Sequence, residues 1–316
     1  MDPLQTALHA SLAAIAAALL IAVDRAPPLR SGRLGVGLSL AGPALALAII
    51  WQFLIQEGRP VWGGLAGPSP KWHSLVWFVV AMAVVGVLIP CLFHRVTSAA
   101  AQRDGAAPGA AIRPVPNGLV VAVVGFAVTL LFLRAPLLHE RNPAHVVAML
   151  GLLFLPLAGR VAICGPRLAM PLSFVWSFAA LAGLAIEAAA FAKLGTIAAT
   201  AAGATVGMIV IGWRLGLSLS PYAAITGLAA VGGIAAVGAP YASATPGWIW
   251  LGPALAPFAV TLAQLPPLRR RPALASVIRY ALPAAIAFAS VAVAIALKTS
   301  GPSAGDDDGA AYYGGS

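Results

Sequence analysis

MPLSFVWSFAALAGLAIEAAAFA, residues Met170 to Ala192, decides the class of fold. Its apolar residues run without interruption, whereas a membrane-barrel strand alternates apolar and polar residues over about ten positions. At 1.5 Å per residue a helix of this length reaches about 35 Å, enough to cross a hydrocarbon core of about 30 Å. The single charge within it is Glu187.

Similar runs lie on both sides. Before it come Leu4 to Val23, Leu34 to Ile55, Trp72 to Phe93, Asn117 to Leu138 and Ala144 to Cys164. After it come Thr196 to Trp213, Pro221 to Ala239, Trp248 to Leu265 and Ser276 to Leu297. The expected fold is an all-α, polytopic bundle of about ten transmembrane helices, within a range of eight to ten if a segment is re-entrant. Residues 1–300 form the transmembrane domain in this reading, and 301–316, with Asp306, Asp307 and Asp308 among glycines, an acidic disordered tail. His94 to Pro116, rich in arginine and small residues, is expected as a flexible loop.

Composition agrees with this class. Of 316 residues, 60% are hydrophobic and only 9% charged, and the mean hydropathy is +0.93. A soluble globule carries about 25% charged residues, so a soluble fold is excluded. The net charge of +10 comes from basic residues scattered through short loops, which fits topology signals and excludes a nucleic-acid partner. Cys91 and Cys164 have no CxxC or Cys/His spacing, so they are packed thiols in this reading. No GxxxxGK[ST] or HExxH occurs, and the single GxSxG match, Gly301 to Gly305, lies in the glycine-rich 301–316 stretch rather than between an expected strand and helix, which argues against ATP-driven or standard hydrolytic chemistry. Neither cofactor nor metal is expected, and the balance is against an enzyme.

Helix starts are marked by a capping residue before proline at Asp2-Pro3, Asn142-Pro143, Ser220-Pro221 and Thr245-Pro246. Ten crossings divide the nineteen Lys and Arg into thirteen on one side and six on the other. The richer side should be cytoplasmic, which puts both termini outside an inner (plasma) membrane of bacterial type. Six of the eight tryptophans then fall toward the outer interface. Five helices followed by five is also the parity that inverted repeats require.

Ionisable groups inside spans cost about 2.5–3.5 kcal/mol at a helix centre and are default functional candidates. Glu187 is the one acidic residue within an expected span. Lys193, six residues on, is rotated about 600° from it, so it is expected to snorkel outward, leaving Arg134 as a cross-helix partner. A second polar group collects on the same side: Gln52, Gln56, Glu57 and Arg59, then His73, then His139, Glu140, Arg141 and His145. Imidazole with carboxylate is metal-binding chemistry, but His139 and His145 lack the i, i+4 spacing of HExxH. His73 and His94 lie about 30 Å apart along one helix and cannot share a haem. Interfacial polarity and recognition of a polar substrate are the other readings of this group. His9 is isolated in the first segment and reads as a buried, hydrogen-bonded histidine.

Gly203 and Gly207 form a GxxxG in the seventh segment, and glycines recur through the eighth, so these two are expected to pack closely. Prolines within spans, at Pro43, Pro156, Pro253, Pro257 and Pro283, free carbonyls for a cavity or a hinge. The function expected is a permease-like transporter of a small solute or lipid. Its outward-facing site would use Glu187, Arg134, Glu57, His139 and His145. The alternative is a non-catalytic scaffold subunit, whose partners are the bilayer and other membrane subunits.

Overall fold

Proline sets where several helices begin, because its fixed φ suits the first helical turn and its missing amide is not needed there. In the computed structural model, α1 (Pro3–Val23) and a later helix (Pro221–Gly238) start at two of the four prolines the capping pattern marks; Pro246 immediately precedes the 3-10 turn Gly247–Trp250, and Pro143 lies outside the described residues. The structure describes residues 3–23, 41–57, 73–103, 127, 128, 131, 168–189, 191–215, 221–241, 245–263 and 265–300. In chain order the helices are α1, α2 (Ala41–Glu57), α3 (Ser74–Arg103), α4 (Ala169–Glu187), α5 (Ala192–Arg214), α6 (Pro221–Gly238), α7 (Leu251–Leu262), α8 (Pro266–Arg269) and α9 (Pro272–Ser300). Two 3-10 turns, Ala239–Tyr241 and Gly247–Trp250, join α6 to α7. No strand occurs among the described residues.

The all-helical class read from the sequence therefore holds. Four helical stretches are long and apolar enough to cross a membrane: Leu4–Ala22, Ala169–Glu187, Ala192–Arg214 and Pro272–Thr299. Four more are apolar but shorter, at Ala41–Glu57, Ser74–Leu88, Ala223–Gly238 and Gly247–Leu262. The expected segments Asn117 to Leu138 and Ala144 to Cys164 lie almost wholly outside the described residues, as does the 301–316 tail. The expected loop from His94 is helical as far as Arg103. Ala99, Ala100, Ala101, Gln102 and Arg103 are strong helix formers, so α3 continues past the point where hydropathy falls.

Pairwise contacts fix the directions. Gly203 and Gly207 of α5 meet Ala10 and Ala14 of α1, so these two helices run parallel. Gly233 of α6 meets Leu75 and Phe78 of α3, while Thr226 lies against Met82, so that pair is antiparallel. Gly183 of α4 faces Val291 of α9 and Glu187 faces Lys298, a parallel pair. The start of α1, the ends of α2, α4, α6 and α9, and the starts of α3, α5 and α7 thus share one end of the bundle. Arg103, Arg214 and Arg269 close helices at the other end.

Helix α6 is the axle. From Ala223 to Gly238 every residue is buried, as expected for a helix apolar on all sides. Its glycines admit large neighbours: Gly227 takes the Phe174 ring, and Gly238 takes Trp250. By contrast, α1 and α9 lie at the rim, and Leu4, Leu8, Leu12, Ile15 and Leu19 line the outer face of α1. An exposed apolar stripe of this kind suits lipid.

The expected pairing of the seventh and eighth segments through GxxxG is corrected. The glycines Gly203 and Gly207 of α5 face the backbone of α1, not α6, so closely that an added methyl at either would overlap Ala10 or Ala14. On α1 the matching stripe is Ala10, Ala13, Ala14 and Ala17, with Ala13 and Ala17 buried. Small residues on both helices let two backbones approach, which is how helices associate where no hydrophobic drive separates them from lipid.

Candidate functional site

The most polar contact inside the bundle is the seam between α2 and α5. Gln52 and Gln56 stand four residues apart on α2, and Thr196 and Thr200 four apart on α5, so each pair occupies one helical face. The antiparallel packing sets them rung against rung. Thr200 Oγ1 donates to Gln52 Oε1 at 3.1 Å, with both side chains fully buried. One turn outward, Gln56 Nε2 donates to Thr196 Oγ1 and to the Lys193 carbonyl oxygen. Thr196 Oγ1 also donates to that carbonyl, at 2.9 Å.

An ionic group closes the outer end of this ladder. Lys193 Nζ donates to Glu57 Oε1 at 2.7 Å, and His73 Nε2 lies 3.8 Å from Glu57 Oε2. The Phe53 ring meets the His73 imidazole edge-on at 4.8 Å. Burial pushes the His73 pKa below its ordinary value; the Glu57 carboxylate opposes that shift and the Lys193 ammonium adds to it. The neutral imidazole is therefore the favoured form at neutral pH, and the Lys193 and Glu57 charges balance. The ladder offers hydrogen bonds and no net charge.

Of the residues singled out in the sequence, Gln52, Gln56, Glu57, His73 and Lys193 come together in this ladder and its ionic end. Glu187 does not join it. It is the last residue of α4, half-exposed, and its Oε2 pairs with Lys298 Nζ of α9 at 3.2 Å. Lys193 is half-exposed at the bundle end, and the turn after Glu187 carries it to Glu57 of α2. That turn is held by Ala188 N donating to Leu184 O at 2.8 Å and Phe191 N donating to Ala185 O at 2.7 Å. Arg134, His139 and His145 lie outside the described residues. His9 is half-buried against α2, edge-on to Trp51 at 5.4 Å. The expectation that it is hydrogen-bonded is corrected at Nδ1, which has no partner among the described residues.

Sequence reasoning missed Thr196 and Thr200. The available signal was two hydroxyls at i, i+4 inside an apolar run, the same spacing as Gln52 and Gln56. Among the described residues no three His, Cys, Asp or Glu side chains group as a metal site. No family of known proteins matches this chain, nor does any functionally described protein or solved structure.

Proposed function

We propose that the protein is a permease-like carrier for a small polar solute. In this reading the chain crosses a bacterial-type inner membrane about ten times, with both termini outside and the Glu57, His73 and Lys193 cluster facing outward. One observation carries it: Gln52 is wholly buried between apolar helices, yet one of its amide atoms has no hydrogen-bond partner among the described residues. Polar groups in a membrane interior are costly and mark pathways, and this one continues a ladder that begins at the bundle end. Solute flux into liposomes containing the purified protein tests the proposal. Flux above protein-free vesicles that Gln52→Leu lowers about tenfold or more, the scale of 1.4 kcal/mol, supports it. Absence of flux for neutral and charged solutes alike removes it.

A second reading, a scaffold subunit of a membrane complex, is favoured by the rim helices. Both α1 and α9 turn long apolar faces outward, and only 17% of each spanning window is buried. Mild-detergent purification separates the two, since a stoichiometric companion chain supports the scaffold and a lone species in active liposomes supports the carrier.

A further inference from the structure

Two polar atoms of α2 remain over when the ladder's hydrogen bonds are assigned. Gln52 accepts from Thr200 through Oε1, and its Nε2 has no hydrogen-bond partner among the described residues. Gln56 directs Nε2 at the Lys193 carbonyl, which can only accept, so the amide orientation is fixed and Oε1 is the atom left over. One is a donor and the other an acceptor. They stand one turn apart on one face of α2, about 6 Å along the axis.

A buried donor and a buried acceptor at this spacing complement one small molecule with an acceptor at one edge and a donor at the other. The surroundings are neutral, because the charges nearest the seam, Lys193 and Glu57, are paired with each other at 2.7 Å. An ion would find no counter-charge left to hold it.

We infer that the α2–α5 seam is a binding subsite for a small uncharged molecule that accepts a hydrogen bond from Gln52 Nε2 and donates one to Gln56 Oε1. Water and a urea-like amide share that chemistry. The subsite names the ligand class of the carrier reading and rests on it for any part in flux; occupancy itself is read without flux, so a dry seam and a silent liposome are separate failures.

The chain has five glutamines, so replacing Gln5, Gln102 and Gln264 by glutamate and labelling glutamine side chains with nitrogen-15 isolates two amide signals. In lipid bilayers, the Gln52 amide is expected to receive magnetisation from water or to shift saturably on titration with urea. Transfer from water without a urea shift assigns the subsite to water, and a saturable urea shift lost in Gln56→Met assigns it to the amide class. Neither response at Gln52 in the protein with Gln56 intact overturns the inference, and that arm needs no substitution within the seam.

Discussion

At the residue scale the outer cluster makes a signed statement about His73. Its imidazole is held below the ordinary pKa of about 6.5 chiefly by burial, so the folded state favours the neutral ring. The corresponding stability is intact above that ordinary value and is lost as the pH falls from there through the depressed folded value. Titration followed by NMR of the ring should show Lys193→Met raising the His73 pKa, by removing a like charge, and Glu57→Gln lowering it further. Shifts of the opposite sign would mean that the three groups do not share one environment. Deeper in the seam, Thr200→Val deletes the donor to Gln52 and leaves a second amide atom unmatched. Polar contacts between membrane helices are worth about 0.6 kcal/mol on average and up to about 1.7. Thr200→Val should therefore lower unfolding stability in a fixed detergent by an amount in that range, and an unchanged or more stable variant would contradict the contact.

At the element scale, helix contacts depend on what a glycine faces. Around Gly203 and Gly207 the neighbour is the α1 backbone, which cannot rotate aside as a side chain can. Gly203→Ala and Gly207→Ala should each destabilise by about 1–3 kcal/mol, the usual scale for overpacking. Gly183→Ala puts its methyl 3.5 Å from Val291 Cγ1, ordinary contact, and should change stability by no more than about 0.5 kcal/mol. Thermal unfolding of the three variants side by side checks the contrast, and equal effects would remove α1 from the α5 surface. The same contact marks the boundary of what the sequence discloses. That residues 196–213 form a helix with a close-packing stripe follows from the sequence, although the helix begins earlier, at Ala192, which was expected to end the segment before; the starts at Pro3 and Pro221 follow from local stereochemistry. Which helix occupies the stripe depends on packing between segments almost two hundred positions apart, so the nearest helix in sequence was the wrong partner. The same holds for Lys193. The rotation expected between it and Glu187 assumed one continuous helix, whereas α4 ends at Glu187 and Lys193 belongs to α5, and its approach to Glu57 of α2 depends on how two distant helices meet. Glu57 itself was legible because charged and amide residues cluster at the end of an apolar run.

For the whole molecule, the helix directions give the bundle two chemically different ends. The start of α1 and the end of α9 lie together, at the end that also carries Glu57, His73, Glu187, Lys193 and Lys298. At the opposite end α3, α5 and α8 terminate in Arg103, Arg214 and Arg269, with Arg270 and Arg271 following. Helix α3, with thirty residues, would measure about 45 Å, longer than a hydrocarbon core of about 30 Å, and its apolar part, Ser74–Leu88, covers only its first half. Its arginine-bearing end is the one suited to water and headgroups. Because arginine and lysine in short loops are retained in the cytoplasm, this end should face inward and the paired end outward. With Cys91 and Cys164 replaced by serine, a single cysteine at Thr299 should react with a membrane-impermeant maleimide applied to cells with an exposed inner membrane. A single cysteine at the exposed Leu215 should react only after permeabilisation. Exchange of the two patterns would reverse the direction in which the α2–α5 ladder opens while keeping the bundle. Labelling of both positions from one side would break the helix directions themselves, and the polar ladder would then no longer lead from one membrane face toward the interior.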